Sequence, residues 1–200
     1  MTISTMLRVC SGTAKGKMLK SPRVTGVRPT SARVRQAIFS ALADRIGGSS
    51  ILDLYAGTGA IGIEALSRGA AEAVFVELSP KCVRTIKENL ELTGFSHEAT
   101  IFKGDVLKVL PGLARQNRKF DVILADPPYD VKRRKGGKKS LVEKTLKALV
   151  ESDILRSNSL VVAEHPDLQP GLEIPEGLRL LSVRKYGDTV VSILCPVQRQ

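Results

Sequence analysis

Two short stretches of the chain hold the residue types from which chemistry can be built. The first is Asp126-Pro127-Pro128-Tyr129, which follows the apolar run D-V-I-L-A at 121–125. This combination suits an amine attached to an aromatic ring, a poor nucleophile because its lone pair is delocalised. The Asp126 carboxylate and the Pro127 carbonyl can accept the two amine hydrogens. That favours the pyramidal, reactive nitrogen and stabilises the positive charge that develops as it attacks. Pro127 and Pro128 stiffen the backbone that aims these acceptors. Tyr129 offers a flat face on which a base can stack, worth about 1–3 kcal/mol in comparable contacts. The plainer interpretation of the same four residues is a rigid strand-end loop with a surface tyrosine.

The second stretch is I-L-D-L-Y-A-G-T-G-A-I-G at 51–62. An apolar strand runs into Gly57-Thr58-Gly59, and Gly62 completes G-x-G-x-x-G where a helix should begin. Such a loop lets the backbone turn tightly against a nucleotide, with free helix N–H groups facing it. Glu77 ends the following apolar run, 20 residues after Gly57, where a carboxylate accepts the hydroxyls of a ribose. Asp105, after the third run, is placed either to recognise an adenine amino group or simply to cap a helix. The glycine pattern is common to NAD and S-adenosylmethionine sites. Asp53 tips the balance. An acid at the end of that strand is disfavoured beside a pyrophosphate and favoured beside the sulfonium and ammonium of S-adenosylmethionine. The expected donor site is therefore Asp53, Tyr55, Gly57, Thr58, Gly59, Glu77 and Asp105.

Both stretches need a scaffold that brings strand ends together. Short apolar runs at 51–55, 73–77, 99–103, 121–125 and 159–164 alternate with helical periodicity near 59–68, 80–93, 105–116 and 138–152. That alternation predicts an α/β fold, a parallel sheet with helices on both faces. In such sheets ligands bind beyond the carboxyl ends of the strands, which would bring Asp126 beside the glycine loop. Residues 178–186 and 189–195, split by Gly187-Asp188, read as a terminal antiparallel hairpin. Residues 5–20 read as an N-terminal β-hairpin turned by Gly12 and Gly16. A helix capped by Ser31 follows, with Val34, Ile38, Ala41 and Leu42 on one face and Gly47-Gly48 closing it. One domain of 200 residues is expected, with a basic extension at 1–48 and a catalytic core at 49–200.

The charge is uneven. Thirty-one Lys and Arg against twenty Asp and Glu give +11. Arg8, Lys15, Lys17, Lys20, Arg23, Arg28, Arg33, Arg35 and Arg45 crowd the first fifty residues beside a single acid, Asp44. Lys132, Arg133, Arg134, Lys135, Lys138, Lys139, Lys144 and Lys147 crowd 131–150 beside Glu143 alone. Two basic blocks on a mildly acidic remainder predict a polyanionic partner held by phosphate contacts; a solvated basic surface is the weaker alternative. The expected nucleic-acid contacts are Arg8, Lys15, Lys17, Arg28, Arg33, Arg35, Lys132, Arg133 and Arg134. No apolar run approaches a bilayer span and no secretory leader is seen, so a cytoplasmic protein is expected. Cys10, Cys82 and Cys195 are scattered, and His97 and His165 lack ligand spacing. No metal site is predicted.

Taken together, these motifs are familial. Asp/Asn-Pro-Pro-Tyr/Phe marks methyltransferases that act on exocyclic amines of adenine or guanine. The chain resembles the bacterial small-subunit (16S) ribosomal RNA guanine-N2 methyltransferases, the RsmD family. The resemblance rests on R-V-C-S-G-T-A-K-G-K at 8–17, R-P-T-S-A-R-V-R-Q-A-I-F-S at 28–40, the segment 52–70, the Asp126–Tyr129 motif and Y-G-D-T at 186–189. It implies a Rossmann-like methyltransferase fold, S-adenosyl-L-methionine as cofactor, and methylation of one guanine N2 in ribosomal RNA; a monomer is expected. It also implies RNA contacts from the N-terminal hairpin and helix. The run from Lys132 to Lys139 is more basic than the resemblance leads one to expect. Three other activities share part of the pattern. They are DNA adenine-N6 methylation, RNA binding by a catalytically silent ribosome-assembly factor, and NAD-dependent oxidoreduction.

Overall fold

A computed structural model describes residues 7–22, 32–128, 139–167 and 171–197. The expected catalytic residue Tyr129 and the expected nucleic-acid contacts Arg28, Lys132, Arg133 and Arg134 lie outside the described residues, as does the Ser31 cap. Among the described residues, no helix is long and apolar enough to cross a membrane.

The elements follow the apolar pattern closely. After the N-terminal segment come α1 (Ala32–Ala41), α2 (Ala43–Ile46), β1 (Ser50–Leu54), α3 (Ala60–Ser67), β2 (Glu72–Glu77), α4 (Pro80–Thr93) and β3 (Ala99–Lys103). Then follow α5 (Val106–Arg115), β4 (Phe120–Ala125), α6 (Leu141–Glu151), β5 (Leu155–Pro166), β6 (Leu178–Tyr186) and β7 (Thr189–Pro196). The sheet has seven strands in the order β3-β2-β1-β4-β5-β7-β6. β1 to β5 are parallel, and β7 pairs antiparallel with both β5 and β6. This is the Rossmann-like α/β arrangement with a terminal antiparallel pair. The last strand inserts between β5 and β6 rather than extending the edge.

Strand alternation divides the core between the two faces. On one face Ile51, Phe75, Val122, Leu124, Val162 and Val191 meet α1, α3, α4 and the N-terminal hairpin. On the other, Leu52, Val74, Ile123, Val161 and Leu194 meet α5 and α6. The helices are locally encoded. Ser79 caps α4 ahead of Pro80, and its side chain accepts from the Cys82 N–H. Ser140 and Glu143 form a reciprocal capping box on α6.

The N-terminal hairpin closes through Arg8 opposite Met18, with left-handed glycines at Gly12 and Gly16. Leu7, Val9, Ala14 and Leu19 join the same core cluster as Ile63 and Phe75. Buried polar groups of α3 then fasten it. Glu64, fully buried, accepts from the Cys10 N–H at 2.6 Å and from Arg68 Nε at 2.8 Å. The Ser67 hydroxyl donates to the Ser11 carbonyl and accepts from the Ala14 N–H.

Candidate active site

Three neighbouring strands deliver the chemistry to one edge of the sheet. β1, β2 and β4 end at Leu54, Glu77 and Ala125, so the loops beyond them converge. The Asp126 N–H reaches back to the Leu54 carbonyl at 3.5 Å, continuing the β1–β4 ladder by one residue. Asp126 is half-buried, Pro127 buried and Pro128 exposed, so the motif crosses from core to surface within three residues.

The glycine loop is held by carboxylates. Tyr55, the first residue past β1, has φ 61°, and Gly57 and Gly59 follow in the left-handed region at 56° and 76°. Glu77 Oε2 accepts from the Gly57 N–H at 2.8 Å, and its Oε1 accepts from the Ser79 N–H at 2.8 Å. A carboxylate has about four lone-pair sites, so each Glu77 oxygen retains capacity for a ribose hydroxyl. Asp53 Oδ2 accepts from the Gly62 N–H at 2.9 Å. The third glycine of the motif is required by packing. A Cβ at Gly62 would lie 2.3 Å from the Phe75 ring and 3.0 Å from Asp53 Oδ2.

Asp53 is only 3% exposed. Burial raises its pKa to about 7; the Gly62 hydrogen bond opposes the rise, and the charges of Asp126 and Glu77 add to it. A carboxylate so costly to ionise is one that a cationic ligand stabilises. The chemistry of these residues fits S-adenosylmethionine: a tight glycine backbone, a Glu77 carboxylate with lone pairs to spare for ribose hydroxyls, and a buried acid that a cation would help to ionise.

The remaining expected donor residues are placed as follows. Thr58 is buried, and its carbonyl accepts from Asn89 Nδ2 at 2.9 Å. The Tyr55 hydroxyl sits 2.7 Å from Thr145 Oγ1, whose own proton goes to the Leu141 carbonyl. Burial pushes the Tyr55 hydroxyl up to about 12, so it stays protonated and donates. Asp105 caps α5, accepting from the Leu107 N–H at 2.8 Å, and is exposed at the same sheet edge beyond β3.

Of the expected RNA contacts, Arg8, Lys15, Lys17 and Arg33 are exposed. Lys17 also ties the hairpin to α4 by donating to the Thr93 carbonyl at 3.2 Å. Arg35 corrects the expectation. It is 2% exposed, and its guanidinium donates to the Arg8 carbonyl at 3.0 Å and lies 3.6 Å from Cys10 Sγ. Its face of α1 turns inward beside Val34 and Ile38, so this arginine anchors the hairpin and cannot reach a phosphate. Sequence reasoning missed Asn89 altogether. Fully buried, it accepts from the Lys20 N–H at 2.7 Å, donates to the Lys20 carbonyl, and also holds Thr58. It thereby joins the hairpin strand to the glycine loop. Its signal, a lone Asn inside an amphipathic helix, is too weak to single out.

Among the described residues, no group of three or more His, Cys, Asp or Glu could hold a metal.

Residues 7–195 match the family model described as "Conserved hypothetical protein 95". The "Putative rRNA methyltransferase YlbH" of Bacillus subtilis is 36% identical over 194 residues, covering 94% of this chain and 97% of that protein. The "Ribosomal RNA small subunit methyltransferase D" of Haemophilus influenzae is 32% identical over 182 residues, covering 90% and 89%. Among solved structures, the "Putative methyltransferase yhhF from Escherichia coli" superposes with a TM-score of 0.80 at 28% identity, covering 97% of this chain and 99% of that one. With a glycine loop and an Asp-Pro-Pro motif at one sheet edge and the family model matched almost end to end, the chain belongs to this family, the RsmD methyltransferases.

Proposed function

We propose that this protein transfers the methyl group of S-adenosyl-L-methionine to the exocyclic N2 of a guanine in small-subunit ribosomal RNA. The observation that carries this reading is Asp126-Pro127 at the end of β4, electrostatically coupled to the buried Asp53 of the neighbouring strand. The names of the two relatives support ribosomal RNA as the substrate class.

The donor, when bound, supplies an electrophilic methyl carbon on a sulfonium. Glu77 and the Gly57–Gly59 backbone orient it, and ionised Asp53 offsets its charge. Asp126 and the Pro127 carbonyl accept the hydrogens of the guanine amine and turn its lone pair toward the methyl. Tyr129 stacks on the ring. After transfer the surplus proton leaves to water, so no side chain with the properties of a general base is needed. A guanine inside a helix cannot reach these acceptors, so the target is unpaired or flipped. Arg8, Lys15, Lys17 and Arg33, with Arg28 and the 132–134 cations, supply phosphate contacts that fix register. The enzyme acts as a monomer in the cytoplasm.

The test is transfer of labelled methyl from S-adenosylmethionine to small-subunit particles, and to free ribosomal RNA, from a strain lacking the protein. Label recovered as N2-methylguanosine is the expected result. Label recovered as methyladenosine would overturn the target base, and no transfer to either acceptor would leave only a donor-binding fold.

A further inference from the structure

β5 contributes a further carboxylate to the edge that carries Asp53, Glu77 and Asp126. β4 and β5 run parallel with Ala125 opposite Ala163, so the register sets Asp126, the first residue past β4, beside Glu164 near the end of β5. Alternation puts both on one face. Glu164 follows Val162 by two residues and faces Val191 of β7, and all the apolar members of that set belong to the core cluster of α1 and α3. Asp126 follows Leu124 of the same cluster, and Asp53 is the registered neighbour of Leu124 on β1. The order along the edge is thus Asp53, Asp126, Glu164 on β1, β4 and β5. Adjacent strands are separated by about 4.8 Å. Glu164 is 7% exposed, an acid kept largely from water where an apolar side chain would be less costly.

We infer that Glu164 is the residue that reads guanine, accepting the N1–H while Asp126 and the Pro127 carbonyl hold the N2 amine; this rests on the function proposed above. Guanine presents N1–H and N2–H as adjacent donors on its Watson–Crick edge. Two carboxylates on neighbouring strands match that pair. Adenine presents a donor beside the N1 lone pair, which a carboxylate repels. Glu164 therefore attracts guanine and rejects adenine at a site whose Asp-Pro-Pro motif alone would accept either amine. A site built to accept a specific donor of its substrate discriminates strongly against an analogue that lacks it.

The test uses small-subunit ribosomal RNA in which the mapped target guanine is replaced by 2-aminopurine. This base keeps the N2 amine but carries a lone pair at N1. The wild-type enzyme should prefer guanine by roughly 10- to 100-fold in kcat/KM. Glu164→Gln, whose amide donates to that lone pair, should bring the ratio within about threefold of unity or invert it. The ratio is internal to each enzyme, so a smaller folded fraction does not alter it. An unchanged ratio in Glu164→Gln, at any level of activity, would overturn the inference, as would a wild-type enzyme indifferent to the two bases. Failure of the wild-type enzyme to methylate guanine N2 at all would instead sink the proposed function.

Discussion

Asp53→Asn separates the cost of the buried acid from its use. With a folded-state pKa near 7 against an ordinary 3.8, the native state holds this proton more tightly than the unfolded chain does. The sign follows from linkage: the stability contributed by Asp53 is fully present below about pH 4 and is lost as pH rises through 7. At 1.36 kcal/mol per unit, ionising the group in place costs about 4 kcal/mol at pH 8. Asparagine keeps an acceptor for the Gly62 N–H and removes the charge, but it buries an NH2 group whose missing partner costs about 1–3 kcal/mol. In urea unfolding, wild type should lose about 3 kcal/mol relative to Asp53→Asn between pH 5 and pH 8, other titrations cancelling in the difference. Affinity for S-adenosylmethionine should run the other way. The ionised carboxylate favours the cation, so wild-type Kd should weaken up to about tenfold per pH unit below 7 and level off above it. The asparagine variant should bind more weakly at pH 8, with that dependence gone. Parallel stability curves for the two proteins, or an asparagine variant that binds the donor as tightly as wild type, would refute the assignment.

Asp126→Ala should lower methyl transfer by at least about 10²–10³-fold while donor Kd changes less than about threefold; equal loss of both in calorimetry and turnover would place Asp126 in donor binding instead. Arg35→Met should cost about 2–4 kcal/mol by urea denaturation, because the Arg8 carbonyl loses its buried donor and the hairpin its anchor. A change under about 0.5 kcal/mol would be that of a surface arginine. Gly12 and Gly16 share a left-handed φ of 84° and 85°, but an added Cβ meets the Ser67 carbonyl oxygen at 1.7 Å only at Gly12. Gly16→Ala should therefore cost about 1 kcal/mol. Gly12→Ala should cost markedly more and expose the hairpin to limited proteolysis; equal costs would refute the close packing.

Much of this protein is written locally. The apolar runs and their spacing place β1 to β4 and α3 to α5 within a residue or two of where they lie, because period two and period 3.6 are properties of neighbouring side chains. The Gly57–Gly62 spacing, Glu77 at a strand end and Asp126-Pro127-Pro128 after another are likewise visible, since a parallel sheet must bring those ends together. Tertiary structure decided the rest. β5 runs from Leu155 to Pro166, longer than its apolar stretch, because pairing with β4 and β7 satisfies backbone that the side chains do not mark. Arg35 and Arg33 are alike in sequence, yet only contact with the hairpin buries the former. Asn89 and Glu64 acquire their roles from backbone groups distant along the chain. The protonation of Asp53 depends on its burial and on the charges of Asp126 and Glu77, brought beside it by other strands. Periodicity is local and can be read from residues in order. Burial and electrostatics are sums over whatever the fold brings near, so they exist only once the chain has closed on itself.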